Sequence, residues 1–230
     1  MTPLVMIPGL LCDARLYGPQ IAAFSGRHTI HVPALTEGAT IPEIAHRVLC
    51  AAPLRFALAG LSMGGIIAME MLAQAPERVE RIALLDTVAG SEPPRIAERR
   101  EPQIARSARD GLEAVMRSEM LPHYTRPGPN REAIEALVLD MALALGPAIF
   151  ARQLRALRDR PDQNLTLAGA RLPALVLCGE HDPLCSVDAH RSMHAALNGS
   201  TLEIIPGTGH VPVLERPEAV NAALSRWLAA

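Results

Sequence analysis

Apolar positions along this chain follow two periods. Short runs with apolar residues at nearly every position fall at Leu4–Ile7, Thr29–Val32, Phe56–Ala59, Ile82–Leu85, Ala174–Cys178 and Leu202–Ile205. Runs of that length with no polar face predict strands covered by helices on both sides. Between them the period lengthens to that of an amphipathic helix over Asp13–Ala23, Ile41–Ala51, Gly64–Ala75, Val187–Leu197 and Pro217–Leu228. Asp13 is suited to cap the first of these and Pro217 to open the last, while Pro76 stops the helix that follows Gly64. Strand alternating with helix predicts an α/β fold with a mostly parallel sheet and right-handed crossovers.

The alternation stops between Thr87 and Leu172. Only helical periodicity is present there, over Arg95–Arg109, Leu112–Leu121, Arg131–Leu145 and Pro147–Arg158, with Arg126-Pro127-Gly128-Pro129-Asn130 as a turn and Asn130 as an N-cap. The chain therefore divides into a core, 1–87 and 172–230, and a helical cap or lid, 88–171, set over the strand ends.

With 230 residues, one domain carrying an insertion is the expected size. Hydrophobic content of 49% and charged content of 20% are ordinary for a globular chain, but aromatics at 3% leave the core to Ala, Leu, Ile, Val and Met. The formal net charge of -2 argues against a nucleic-acid footprint. All the basic residues are Arg, so a Lys nucleophile or Schiff base is excluded. Cys12, Cys50, Cys178 and Cys185 form no C-x-x-C pair, and no signal peptide is evident, so free thiols in a cytoplasmic protein are expected. No apolar run reaches a membrane span.

The chemistry concentrates at Gly60-Leu61-Ser62-Met63-Gly64. A chain of this length has roughly a one in ten chance of containing G-x-S-x-G by composition alone. Its setting carries the meaning: a strand leads in and a helix leads out, the context of a nucleophile elbow. A serine hydroxyl is a weak nucleophile and needs a base, an acid to orient that base, and donors for the developing oxyanion. His210, after the last strand in Gly207-Thr208-Gly209-His210, is the base candidate. Asp182, after the preceding strand in Gly179-Glu180-His181-Asp182, is the acid candidate, and Asp86 at the end of the strand after the elbow is its rival. His181 should point away from the base. Backbone N–H groups of Met63 and Leu10 are the oxyanion candidates, the latter on the loop Pro8-Gly9-Leu10 after the first strand.

These motifs together resemble the α/β-hydrolase superfamily, over nearly the whole chain. The resemblance implies a serine hydrolase with a Ser62-His210-Asp182 triad, no cofactor and no metal. Its substrate would be a small ester-like molecule, with neither nucleic acid nor membrane as a partner; a homo-oligomer stays open. Many relatives carry His-Gly where Pro8-Gly9 stands here. By the same resemblance the chain starts at the family's third strand, without the leading antiparallel hairpin. The serine argues against relatives with an Asp nucleophile. Lactone, thioester or C–C bond hydrolysis, acyl transfer and perhydrolysis would use the same triad, and a non-catalytic ligand-binding protein is the alternative of another class.

Weaker features have plainer readings. His190 and His194, four apart on a helix, lack a third ligand and read as a solvated face. Met116, Met120, Met141 and Phe150 either line an acyl pocket or pack the cap on the core. Cys12 and Cys185 lie near the site loops and are candidate reactive thiols. Trp227 reads as a packing residue.

Overall fold

A computed structural model describes residues 2–230. Six strands form one sheet in the order β2-β1-β3-β4-β5-β6, and every pairing is parallel. They are β1 (Leu4–Ile7), β2 (Ile30–His31), β3 (Phe56–Leu61), β4 (Val79–Leu85), β5 (Ala174–Gly179) and β6 (Thr201–Ile205). The central strands β1, β3 and β5 are buried at every position, whereas the edge strands β2 and β6 are only half covered. This is why their sequences are continuous apolar runs rather than alternating ones. The chain leaves β1 toward one edge and returns as β3 on β1's other side. The strand order therefore reverses between β1 and β3, and crevices for ligands form beyond the strand C-termini at such a point.

Helices cover the sheet: α1 (Gly18–Phe24), α2 (Ile41–Ala51) and α3 (Met63–Gln74) before the insertion. The insertion between β4 and β5 contains α4 (Pro94–Asp110), α5 (Leu112–Val115), α6 (Arg131–Leu145), α7 (Pro147–Arg158) and α8 (Asn164–Gly169). After β5 come α9 (Val187–Ala196), α10 (Pro212–Glu215) and α11 (Pro217–Ala229). Helix α3 is buried from Met63 to Leu72, so it runs through the centre of the packing rather than along a surface. No single helix among the described residues is long and apolar enough to cross a membrane.

Several boundaries differ from the periodicity. The Asp13–Ala23 segment splits into a 3-10 turn, Ala14–Tyr17, and then α1, because Pro19 has no N–H to continue a ladder. Asp13 still caps, accepting from Arg15 N at 2.9 Å. The Leu112–Leu121 segment is α-helical only to Val115, then passes through a π turn, Met116–Met120, and a 3-10 turn, Leu121–His123. Pro122 removes a donor and crowds the carbonyl four residues back, so the regular ladder cannot persist. Asn130 precedes α6 but makes no side-chain cap. Two helices, α8 and α10, were not anticipated, being too short to show a period.

The insertion lies against loops at the C-terminal ends of the strands. Its polar contacts reach the loop after β1, the loop after β2 and the loop after β6.

Candidate active site

Ser62 sits between β3 and α3 with φ 56° and ψ -118°, a conformation that L-residues rarely adopt. The turn is possible because its neighbours lack side chains. A Cβ on Gly60 would lie 2.2 Å from Gly64 O, and one on Gly64 would lie 2.0 Å from Ile7 O. The elbow therefore packs backbone on backbone against the end of β1. Four bonds hold the serine's main chain: its N–H donates to Leu85 O at 2.9 Å, and its carbonyl accepts from Gly65 N at 2.9 Å, Ile66 N at 3.2 Å and Thr87 Oγ1 at 2.8 Å. Met63 opens α3, so its N–H has no partner within the helix and carries the helix's positive end.

The loop after β1 folds beside the elbow. A Cβ on Gly9 would be 3.7 Å from Ser62 Cβ, and Tyr17 Oη donates to Ile7 O at 2.9 Å at the loop's base. Buried backbone N–H groups must find partners, so each can be traced. Leu11 N donates to Gln153 Oε1 at 2.9 Å, Cys12 N to Gly9 O at 3.1 Å, and Asp13 N to Met141 Sδ at 3.5 Å. Among the described residues, the Leu10 N–H is the one from Leu10 to Asp13 with no acceptor in the chain.

His210 follows β6 and is 3% exposed. Its Nε2 lies 2.9 Å from Ser62 Oγ and its Nδ1 lies 2.8 Å from Asp182 Oδ2. The loop is fixed around the imidazole. His210 N donates to Tyr124 O at 2.9 Å, the Tyr124 ring stands 5.5 Å from the imidazole, and Gly209 N donates to Glu215 Oε1 at 2.8 Å. Glu215 Oε2 also accepts from Arg126 N at 2.9 Å, so one carboxylate ties the histidine loop to the insertion.

Asp182 follows β5. Its Oδ1 accepts from Leu184 N at 2.8 Å and Cys185 N at 3.1 Å. Burial by itself would raise its pKa, but His210 and these two amides outweigh burial and hold the carboxyl below its ordinary value. It is thus an anion aimed at Nδ1. An Nδ1–H donating to it leaves Nε2 free to accept a proton from Ser62 Oγ, the polarity a general base requires.

The rival acid, Asp86, is fully buried with φ 44° and does not bond His210. Its Oδ1 accepts from Gly179 N at 2.8 Å, and Oδ2 has no partner among the described residues. Burial, then the charge of Asp182, push its pKa well above the ordinary carboxylate value. The folded state therefore holds a proton that the unfolded chain releases near pH 4. Stability contributed by that proton is present below pH 4 and declines as pH rises toward the folded pKa, by up to about 1.4 kcal/mol per pH unit. Asp86→Asn keeps the shape and the neutral charge. It is expected to gain stability relative to wild type as pH rises above about 4, read by urea unfolding at each pH, and to keep kcat within about threefold. Identical pH curves for the two proteins would mean that Asp86 is not protonated in the fold.

His190 corrects an expectation. It is not on a solvated face but fully buried, with Nδ1 2.9 Å from Ser186 O and Nε2 accepting from Thr87 N at 3.1 Å. Burial pushes its pKa down, so it is a neutral strut behind Thr87. The buried stripe of His190 and Met193 on α9 and Leu197 at its C-cap, spaced at three and four, is the signal that assigns it. Cys12 and Cys185 are buried as well. Desolvation pushes Cys12 up to about 12 and Cys185 well above its usual value, so neither is a poised thiolate. Asp182, Cys185 and His210 offer ligand atoms within 4.8 Å of one another, but the first and last are engaged with each other and the thiol is protonated. Met116, Met120, Met141 and Phe150 are all buried in the core cluster, and Trp227 packs there too. His181 is exposed beside Glu180, 3.5 Å away, and turned from His210 as expected. Tyr124, Thr87, Gln153 and Glu215 touch the site or its loops without having carried any motif.

The alpha/beta hydrolase family profile matches residues 4–223. A Bacillus subtilis (strain 168) protein, provisionally named a 2-succinyl-6-hydroxy-2,4-cyclohexadiene-1-carboxylate synthase, is 30% identical over 182 residues, covering 74% of this chain and 65% of that protein. The present chain thus spans less than two thirds of that relative. The pimeloyl-(acyl-carrier protein) methyl ester esterase of Aliivibrio salmonicida (strain LFI1238) is 25% identical over 245 residues, 98% of this chain and 91% of that one. Among solved structures, a thermophilic esterase from Thermogutta terrifontis superposes with a TM-score of 0.89 at 24% identity, covering 100% of this chain and 90% of that one. At that identity the likeness is one of fold.

Proposed function

The chain belongs to the alpha/beta hydrolase family, and on that premise we propose that it is a serine hydrolase of small carboxylic esters. The observation that carries this reading is the continuous relay from Ser62 Oγ through His210 to Asp182, with contacts of 2.9 and 2.8 Å. Ser62 Oγ attacks the ester carbonyl carbon as its proton passes to His210 Nε2. Asp182 keeps the proton on Nδ1 and stabilises the imidazolium. The carbonyl oxygen becomes an oxyanion and is held by the N–H groups of Leu10 and Met63. The tetrahedral species collapses, and the departing alkoxide takes the proton from His210. Water then attacks the acyl-Ser62 ester, gives its proton to His210, and releases the acid while Ser62 is reprotonated.

The helical insertion, 88–171, serves as a cap that shapes the acyl and alcohol sites. The curated relative from Aliivibrio salmonicida, named for a methyl ester substrate and covered almost end to end, supports ester chemistry over the lactone, thioester, C–C, acyl-transfer and perhydrolysis alternatives. A reducing cytoplasm suits a chain whose four cysteines are all unpaired.

The test is hydrolysis of p-nitrophenyl esters from acetyl to dodecanoyl, alongside labelling by a fluorophosphonate. We expect turnover with a single chain-length optimum and labelling confined to Ser62. Turnover without labelling of Ser62 would refute the serine mechanism. Labelling of Ser62 without ester turnover would move the substrate to another of the acyl or C–C classes.

A further inference from the structure

Gln153, in the middle of α7, is 2% exposed, and both ends of its carboxamide cross from the insertion to the core. Oε1 accepts from Leu11 N at 2.9 Å and Nε2 donates to Leu35 O at 2.9 Å. Its neighbour Arg152 donates to Thr36 O at 2.5 Å, so α7 grips the loops after β1 and β2 together.

The acceptor end matters because of where it lands. Leu11 has φ 52°, a left-handed conformation that leucine keeps only where its surroundings over-determine it. Two bonds do so here: Cys12 N to Gly9 O within the loop, and Leu11 N to Gln153 from outside it. With those groups engaged, the adjacent Leu10 N–H is left without an acceptor among the described residues, on a loop whose Gly9 lies against Ser62.

We infer that Gln153 is a positioning residue of the oxyanion hole: from the insertion it holds the left-handed turn at Leu11 and thereby aims the Leu10 N–H at the carbonyl oxygen that Ser62 attacks. This rests on the serine-hydrolase reading above. It gives the insertion a second role beyond roofing the site, since the hole is complete only when α7 is seated. The residue type follows from the two partners. Leucine at 153 would leave a buried N–H and a buried C=O unpaired. Glutamate, when ionised, would set a charged oxygen against Leu35 O, and that repulsion would draw the side chain off Leu11 N; when protonated, it would again both accept and donate.

The experiment compares wild type, Gln153→Leu and Gln153→Glu by kcat and KM on the preferred p-nitrophenyl ester and by the rate constant of fluorophosphonate inactivation. All rates are expressed per labelled Ser62, so loss of folded protein does not enter. Removing an oxyanion donor outright costs on the order of 10²–10³ in rate. Misaiming one should lower kcat and the inactivation constant of Gln153→Leu together by about 10–100-fold, with KM within about threefold. Gln153→Glu should be as slow at pH 8, and its kcat relative to wild type should recover as pH falls and the buried carboxyl takes a proton. Wild-type rates in Gln153→Leu would overturn the inference while leaving the serine mechanism intact. If that variant does not fold, a Gln153→Glu/wild-type ratio equal to one at every pH would overturn it equally. A wild type unlabelled at Ser62 would overturn the serine reading, and the inference with it.

Discussion

Ser62→Ala is expected to lower kcat for ester hydrolysis by on the order of 10⁶, with the folded state unchanged. Among the described residues, Ser62 Oγ has a single partner, His210 Nε2, and the elbow is held by main-chain bonds and by the close packing of Gly60 and Gly64, none of which involves the hydroxyl. Alanine loses the hydroxyl and keeps the turn. The residual rate should be that supported by the oxyanion donors and substrate binding alone. The check is kcat on the preferred ester beside a thermal melt of each protein. A variant within tenfold of wild type, with an unaltered melt, would mean that another group is the nucleophile.

Asp182→Asn should reduce kcat by on the order of 10⁴. The geometry gives the reason. Asparagine can still accept from Leu184 N and Cys185 N, so the loop keeps its shape. Its NH₂ group would then face His210 Nδ1, which must accept. The neutral imidazole is thereby forced to carry its proton on Nε2, against Ser62 Oγ, where it cannot act as a base. KM should change little. Asp182 and Asp86 are distinguished by the pair of asparagine variants, since Asp86→Asn removes no charge from the relay. If Asp86→Asn were the inactive one, Asp86 would be the acid. Stability separates them by sign as well. Asp182's lowered pKa contributes stability above pH 4 that disappears as pH falls through its folded value, so wild type and Asp182→Asn should converge in acid.

Element by element, what could be read in advance depended on whether the controlling interactions were local. Helices α6 and α7 were readable to the residue because Gly146, with φ 84°, breaks one long apolar pattern into two, and the Pro147 that follows it opens the second. The Leu112–Leu121 segment was not, because an apolar period cannot register that Pro122 spoils the ladder behind it. The spacing of His190 and His194 alone does not reveal that His190 is buried; the apolar Met193 and Leu197 beside it do. Chain order favours Asp182 over Asp86 as the acid, but both are acids at the C-terminal ends of strands, and only the contact of 2.8 Å between His210 Nδ1 and Asp182 Oδ2 separates them in space.

The sequence by itself determined the strand order in time, the strand-turn-helix setting of Ser62, and the succession of Ser62, Asp182 and His210, because each rests on residue type and period within a dozen positions. The tertiary structure decided which acid meets His210, why Leu10 keeps an unpartnered N–H, and how Gln153, Thr87, Glu215 and Tyr124 hold the reacting loops. Those outcomes hang on contacts such as Gln153 to Leu11, 142 residues apart, and Asp86 to Gly179, 93 apart. Each is a single hydrogen bond whose partners are chosen by how helices and strands pack, and no local pattern of residues encodes that choice.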